Sequence, residues 1–150
     1  MKITDTISCI LRYKTGNRIL SISPEESVYA ALAQMAKYEV GALLVLSGRQ
    51  LVGILSERDY ARKVALMGHH SRETRVMEIM TAPVTSVTPQ YTVDECLALM
   101  TQYHFRHLPV VERGEVVGLV SIGDLVKWVI SGQEQAIQEL EGYITGAYPA

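Results

Sequence analysis

Shifted by 65 positions, the chain aligns with itself without a gap, Ser21–Val64 falling on Ser86–Val129. Of these 44 positions, 14 are identical: Ser21/Ser86, Pro24/Pro89, Val28/Val93, Leu32/Leu97, Ala33/Ala98, Met35/Met100, Tyr38/Tyr103, Leu43/Leu108, Val45/Val110, Val52/Val117, Gly53/Gly118, Ser56/Ser121, Asp59/Asp124 and Val64/Val129. Each copy is therefore one supersecondary unit. A unit of about 45 residues buries too little surface to stand alone, so the two copies must share their burial.

Hydrophobic period gives both copies the same element order. Ile19–Ser23 is a short β-rich run ended by Pro24, and Val28, Leu32, Met35 and Ala36 then recur at helical spacing behind the acidic opening Glu25-Glu26. Ala42–Leu46 and Leu51–Leu55 form a hairpin about the turn Ser47-Gly48-Arg49-Gln50, and a second helix starts at Ser56. The second copy repeats this with strands Val84–Thr88, Leu108–Val111 and Val116–Val120, a helix at Val93–Tyr103, a turn at Glu112–Glu115 and a helix from Ser121 to about Ile130. The expected fold is mixed α/β (α+β): two tandem β-α-β-β-α repeats packed with pseudo-twofold symmetry, with equivalent clefts between them as natural ligand sites. Residues 1–65 hold an N-terminal segment and the first repeat, 66–131 a linker helix and the second repeat, and 132–150 a C-terminal helix and tail. Within the last, Gln133–Tyr143 is amphipathic, with Ile137, Leu140 and Ile144 near one side; it packs on its own module or a dimer mate, or else serves with an exposed Trp128 as an effector face.

Composition removes several function classes. A net charge of −2 opposes general nucleic-acid binding, which needs clustered Lys and Arg. No apolar run is long enough to cross a bilayer, and Met1-Lys2-Ile3-Thr4-Asp5 does not resemble a secretory signal, so the default location is cytoplasmic. Cys9 and Cys96 lack metal-site spacing and are expected as reduced, buried or half-buried thiols. His69-His70 and His104/His107 do not converge on a metal, neither a Rossmann fingerprint nor a P-loop occurs, and no nucleophile and base are arranged for catalysis. The expectation is a protein that is not an enzyme and needs no metal.

The duplicated Ser56-x-x-Asp59 and Ser121-x-x-Asp124 admit two readings. At a strand-to-helix junction, Ser followed by an acidic residue three positions on is a capping box worth about 0.5–2 kcal/mol. The same Ser and the first-turn N–H groups also suit an anion, and an ionised Asp suits two neighbouring ribose hydroxyls. The two uses are compatible.

With their preceding residues, Gly53-Ile54-Leu55-Ser56-Glu57-Arg58-Asp59 and Gly118-Leu119-Val120-Ser121-Ile122-Gly123-Asp124 resemble the G-h-h-[ST]-x-x-D signature of the CBS family, where h is apolar. Phe105-Arg106-His107-Leu108-Pro109-Val110-Val111 resembles that family's second strand. The resemblance runs to about Ser131 and implies a Bateman module: paired repeats, commonly dimerised, whose clefts bind AMP, ADP or ATP foremost, with NAD or S-adenosylmethionine as further candidates. It implies a homodimer, an effector protein of unknown identity and no membrane partner; the alternative is a ligand-free dimerisation or interaction adaptor with degenerate clefts. Kinship with inosine-monophosphate dehydrogenase would reflect only the shared module, because 150 residues cannot hold a catalytic barrel of about 250.

The ligand-binding set so implied is Asp59, Asp124, Ser56, Ser121 and Arg58 from the signatures, Ser23 and Thr88 after the first strands, and Val40, Gly41, Ala42, Phe105, Arg106, His107 and Pro109 around the second strands. Lys14 joins them from Arg12–Arg18, a seven-residue stretch with three cations that follows Thr6–Leu11, itself matching Arg75–Met80 in pattern. Arg106 and His107 face only Gly41 and Ala42 in the other repeat, so the clefts should differ. If each combines one signature with the other repeat's second strand, Asp59 shares a site with Arg106 and His107, which becomes the better phosphate site, and Asp124 shares one with Gly41.

Overall fold

A computed structural model describes residues 4–14 and 19–145, with the side chains of 133–140 and 143–145 outside the description. The first repeat comprises β1 (Ser21–Ile22), α2 (Val28–Tyr38), β2 (Ala42–Ser47), β3 (Gln50–Ser56) and α3 (Glu57–Tyr60), with α1 (Ile7–Tyr13) before it. The second has α4 (Val76–Ile79) before it and comprises α5 (Val93–Tyr103), β4 (His107–Glu112), β5 (Glu115–Ser121) and α6 (Ile122–Thr145).

β1 pairs in parallel with β2 through Ser21↔Leu44 and Ile22↔Val45, and β2 and β3 form an antiparallel hairpin. β4 and β5 form the matching hairpin, whose two-residue turn places Arg113 and Gly114 at φ 53° and 78°. The run expected at Val84–Thr88 shrinks to one parallel bridge, Val87↔Val110. Both repeats leave this position through proline turns, with Glu26 N–H donating to Ser23 O at 3.2 Å and Tyr91 N–H to Thr88 O at 3.1 Å. Ser27 then caps α2 by accepting from Ala30 N–H, and Thr92 with Glu95 forms a capping box on α5. The helices bury Val28, Ala31 and Met35 in one case and Val93, Cys96 and Met100 in the other.

The leading helices are exchanged between repeats. Ile7 and Ile10 of α1 lie in the second repeat's core with Val93, Leu108 and Val120, whereas Val76 and Ile79 of α4 lie in the first repeat's core with Val28, Leu43 and Leu55. Equivalent backbone bonds fix both: Ile7 N–H to Tyr91 O and Val76 N–H to Glu26 O, each 2.8 Å, with Val93 N–H to Asp5 O at 2.9 Å and Val28 N–H to Thr74 O at 2.8 Å. Ile7 and Val76 are each 0% exposed. Burial of one such side chain contributes about 2 kcal/mol, so each hairpin depends on a segment from elsewhere in the chain. Packing crosses the sequence boundaries at 65 and 131: the N-terminal segment completes the second core, and the linker helix the first.

The signature glycines serve this exchange. A Cβ on Gly53 would lie 2.5 Å from Met80 Sδ, and one on Gly118 2.7 Å from Leu11 Cδ2. Met80 and Leu11 are the positions matched at the ends of the two leading segments, so glycine is required for close packing there.

The second helices differ. After α3 the chain widens into a π-helical stretch, Ala61–Ala65, with Leu66 N–H donating to Ala61 O and His69 N–H to Val64 O, both at 3.0 Å. α6 instead continues without a break to Thr145, so the separate C-terminal helix expected from Gln133 is its extension. Gly132 costs such a helix about 1 kcal/mol but does not stop it, and no proline intervenes. The pattern of Ile137, Leu140 and Ile144 lies outside the described side chains. Trp128 is not a free face: it is half-buried, its indole N–H donates to Asp5 Oδ2 at 2.8 Å, and its ring centroid lies 5.8 Å from that of Tyr13. Cys9 is half-buried; Cys96 is buried, and burial, with Glu95 beside it, pushes its thiol up to about 11. Among the described residues no helix is long and apolar enough to cross a membrane.

Candidate functional site

Two clefts form where the start of one repeat's hairpin meets the end of the other's. Within each repeat the second strand and the signature are joined: Ala42 is in register with Ser56 and His107 with Ser121, while Glu57 N–H donates to Gly41 O at 3.0 Å and Ile122 N–H to Arg106 O at 2.9 Å. β3 and β5 pack against each other and bring the two junctions side by side.

The first cleft, about 510 Å³, is lined by Ser56, Glu57, Arg58, Asp59, Arg62 and Lys63 from one side and Tyr103, His104, Phe105, Arg106 and His107 from the other, with Ile54, Gly41 and Thr81 between. Asp59 and Arg106 thus share a site. Four permanent cations face two carboxylates here, and among the described residues Arg58, Arg62 and Arg106 carry no ion pair. Arg58 and Arg106 are exposed, so their charge is available to an incoming anion. Tyr103 and Phe105 stack beside them, with ring centroids 5.7 Å apart.

Asp59 itself is 8% exposed. Its Oδ2 accepts from Ser56 N–H at 3.0 Å and Ser56 Oγ–H at 3.1 Å; its Oδ1 accepts from Thr81 Oγ1–H at 3.2 Å and pairs with Lys63 Nζ at 3.2 Å. Ser56 Oγ in turn accepts from Asp59 N–H at 3.2 Å. A carboxylate offers about four lone-pair sites; at Asp59 three are taken by hydrogen bonds from Ser56 and Thr81, and the Lys63 ammonium, which donates to Ile79 O at 2.9 Å, is paired beside Oδ1. The capping reading is therefore realised at Asp59.

The second cleft, about 560 Å³, is walled by Leu11, Ile19, Leu20, Val40, Ala42, Val117 and Leu119 and rimmed by Lys14, Tyr38, Glu39, His107, Ser121 and Asp124, with Gly41 and Gly118 in its floor. Asp124 is less committed than Asp59. Its Oδ2 accepts from Ser121 N–H at 2.8 Å and Lys14 Nζ at 2.9 Å, and among the described residues no donor reaches Oδ1. Burial pushes its carboxyl up, but the Ser121 amide and hydroxyl and the Lys14 ammonium outweigh this and hold it below the ordinary value. Lys14 also donates to Leu119 O at 2.8 Å. The rest of its cationic stretch, 15–18, lies outside the described residues.

Gly41 and His107 line both clefts, so the clefts adjoin. Burial lowers the His107 pKa; Asp124 and Glu57 oppose this, while Lys14 and Arg106 reinforce it, which leaves the imidazole neutral near pH 7.

Three expected site residues stand elsewhere. Ser23 and Thr88 are exposed on the proline turns, where Ser23 Oγ–H donates to Glu25 at 2.5 Å, and neither reaches a cleft. The chain turns away one residue earlier than their role requires, and Ile19 and Leu20 line the second cleft instead. Pro109 is buried inside the hairpin opposite Leu119, with its carbonyl accepting from Val87 N–H at 3.0 Å. Arg62, Lys63, Thr81, Tyr103 and His104 were not anticipated. Arg62 and Lys63 have a sequence signal, lying three and four positions after Asp59 on the same helical face. Thr81 has none, since it arrives through the Ile54↔Thr81 bridge. Among the described residues no three His, Cys, Asp or Glu side chains group as a metal site.

A family model described as CBS domain matches residues 15–66 and 76–131. The chain is 38% identical over 151 residues to the mitochondrial CBS domain-containing protein CBSX3 of Arabidopsis thaliana, across 95% of this chain and 73% of that one. It is 36% identical over 110 residues to an inosine-5'-monophosphate dehydrogenase of Korarchaeum cryptofilum, across 71% of this chain but 21% of the enzyme. Among solved structures, a protein with CBS domains from Burkholderia ambifaria MC40-6 shares 50% identity and a TM-score of 0.83, across 85% of this chain and 96% of that one.

Proposed function

Because this chain belongs to the CBS domain family, both of its repeats being matched, we propose that it is a regulatory module that binds an adenosyl ligand, with AMP, ADP or ATP ahead of NAD or S-adenosylmethionine. The observation that carries this is the meeting of Arg58, Arg62 and Arg106, from different repeats and without ion pairs among the described residues, on one cleft of about 510 Å³. Guanidinium groups so placed suit phosphate oxygens. The apolar second cleft, where among the described residues no donor reaches Asp124 Oδ1, suits a nucleoside. Ligand occupancy regulates only if it favours one of two states, and a ligand contacting both repeats would do so by fixing their separation.

In this reading the chain performs no reaction. Its likeness to the Korarchaeum dehydrogenase covers 21% of that enzyme, and the serine of each signature serves as a helix cap, accepting from the aspartate N–H three positions on. The description of the Burkholderia protein as a candidate for signal transduction agrees with a regulatory role. A homodimer belongs to the same proposal: Ile122, Val126 and Ile130 lie four residues apart on α6 and are 42%, 44% and 49% exposed, a stripe suited to a second copy. The competing reading, a ligand-free adaptor, draws on Asp59 being engaged within the chain by Ser56, Thr81 and Lys63.

The test is to denature the purified protein, identify any released nucleotide by mass spectrometry, and titrate AMP, ADP, ATP, NAD and S-adenosylmethionine by calorimetry into the protein and into Arg106→Ala. Binding of a phosphorylated ligand that weakens at least tenfold, about 1.4 kcal/mol, in the variant supports the proposal. Absence of binding by all five favours the adaptor.

A further inference from the structure

We propose that α6 joins two copies of this chain as a parallel two-stranded coiled coil along its extension beyond the second repeat. This rests on the homodimer of the reading above and names its interface; it holds whichever ligand the clefts take.

The first turns of α6 have two unlike sides. Leu125 is buried in the second core, and Trp128 and Val129 pack against that core. Ile122, Val126 and Ile130 form a neighbouring stripe that is exposed. In the first repeat the equivalent positions are Glu57, Ala61 and Ala65, so the stripe is not inherited from the duplication. It belongs to the second repeat alone, and α6 alone continues: it runs to Thr145, past residue 131 where the family match ends.

The sequence carries the stripe onward. Val126, Ile130, Gln133, Ile137, Leu140 and Ile144 follow one another at spacings of four, three, four, three and four. At 100° per residue these six positions and Ile122 fall within one arc of about 80°. The alternation is a coiled-coil seam with Ile130, Ile137 and Ile144 at a and Val126, Gln133 and Leu140 at d. Isoleucine at a with leucine at d favours two parallel strands, and a single polar seam residue, here Gln133, fixes register at a cost in stability. Charge selects the same orientation. Glu134 and Glu141 hold the e positions, whereas the g positions are Val129, Ala136 and Tyr143. Parallel copies set each glutamate beside an uncharged g residue; antiparallel copies set glutamate beside glutamate, and no Lys or Arg follows Lys127 to relieve it. Gly132 and Gly142 make this segment a poor helix by propensity, so packing must hold it.

The experiment measures the dimer Kd of the full chain by sedimentation equilibrium, with no ligand added. Ile137→Glu should weaken association at least about 100-fold, because each copy loses one buried isoleucine. Gln138→Glu, the same added charge at position b, should leave Kd within about threefold. Gln133→Leu should tighten the dimer about tenfold or more, a gain that no misfolded variant can mimic. In a Cys9→Ser background, oxidised Ile137→Cys should give a covalent dimer, because a positions meet each other only in the parallel arrangement. A Kd unchanged by Ile137→Glu, or weakened as much by Gln138→Glu, overturns the inference and leaves the homodimer on another face. Failure of Ile137→Cys to cross-link, or of Gln133→Leu to tighten the dimer, overturns the parallel seam. A native chain that stays monomeric overturns the inference together with the homodimer.

Discussion

Lys14 lies 110 positions before Asp124 in the chain, and its Nζ is 2.9 Å from Asp124 Oδ2. This pair ties the exchanged helix α1 to the mouth of the second cleft. The side chains are 32% and 24% exposed, so solvent screens much of the attraction. Lys14→Met should cost about 0.5–1 kcal/mol in chemical denaturation near pH 7. The sign with pH follows from the lowered Asp124 pKa: the increment is present above the ordinary carboxyl value of 3.8 and is lost as pH falls through the still lower folded value. The gap between the two proteins should therefore close on acidification, and a constant gap would show that the ion pair is not its source.

His107 gives the opposite group type and the same direction with pH. Burial holds its folded pKa below the ordinary 6.5, so the unfolded chain takes up the proton first as pH falls. The neutral folded imidazole contributes stability above 6.5 that is lost as pH drops through the lower folded value. Denaturation midpoints followed from about pH 8 to about pH 5, the interval in which histidine charges, should fall more steeply for the native sequence than for His107→Gln. Parallel curves would remove His107 as the titrating group.

The matched aspartates should respond unequally to removal. Asp59→Ala leaves Thr81 without its acceptor, removes the carboxylate paired with Lys63 and takes away half of the capping box with Ser56, a loss of about 2 kcal/mol. Asp124→Ala breaks a half-exposed pair and cap and should cost about 1 kcal/mol. In ligand titrations the order reverses: with folded protein of each variant, Asp124→Ala should weaken adenosine binding at least tenfold, while Asp59→Ala should affect it little. Equal effects of both on adenosine would mean that the signatures retain equivalent functions.

These contrasts mark what sequence could and could not reveal. The repeat, its element order and the junction serines were legible because period and identity act locally: Val28, Leu32 and Met35 define a helix face without reference to the other half. The meeting of Asp59 with Arg106 followed from the symmetry of two halves. The hydrogen bond from Thr81 to Asp59 did not, because Thr81 reaches it from 22 residues away across a single bridge. Ser23 and Thr88 were misplaced because a strand's last residue and a turn's first differ by one rotation of the chain, and Pro24 and Pro89 set that rotation. The exchange of α1 and α4 was foreshadowed only by the likeness of Thr6–Leu11 to Arg75–Met80, a likeness that says the segments are equivalent but not which core each enters.

That exchange supplies the last prediction. Gly118 carries the second signature's glycine, and a methyl group there would meet Leu11 Cδ2 at 2.7 Å and Cδ1 at 3.3 Å. Gly118→Ala should destabilise the protein by about 1–3 kcal/mol through overpacking, as measured by urea denaturation. Gly53→Ala should cost at least as much, because its methyl group would meet Met80 at 2.5 Å and also the backbone oxygen of Thr81 at 3.2 Å, which cannot rotate away. If the glycine exists to admit the exchanged helix, shortening that helix's side chain must relieve the clash. Leu11→Ala combined with Gly118→Ala should then be less destabilised than the two single losses added together, by about 1 kcal/mol. Strict additivity would mean that Gly118 is glycine for some reason other than the approach of Leu11.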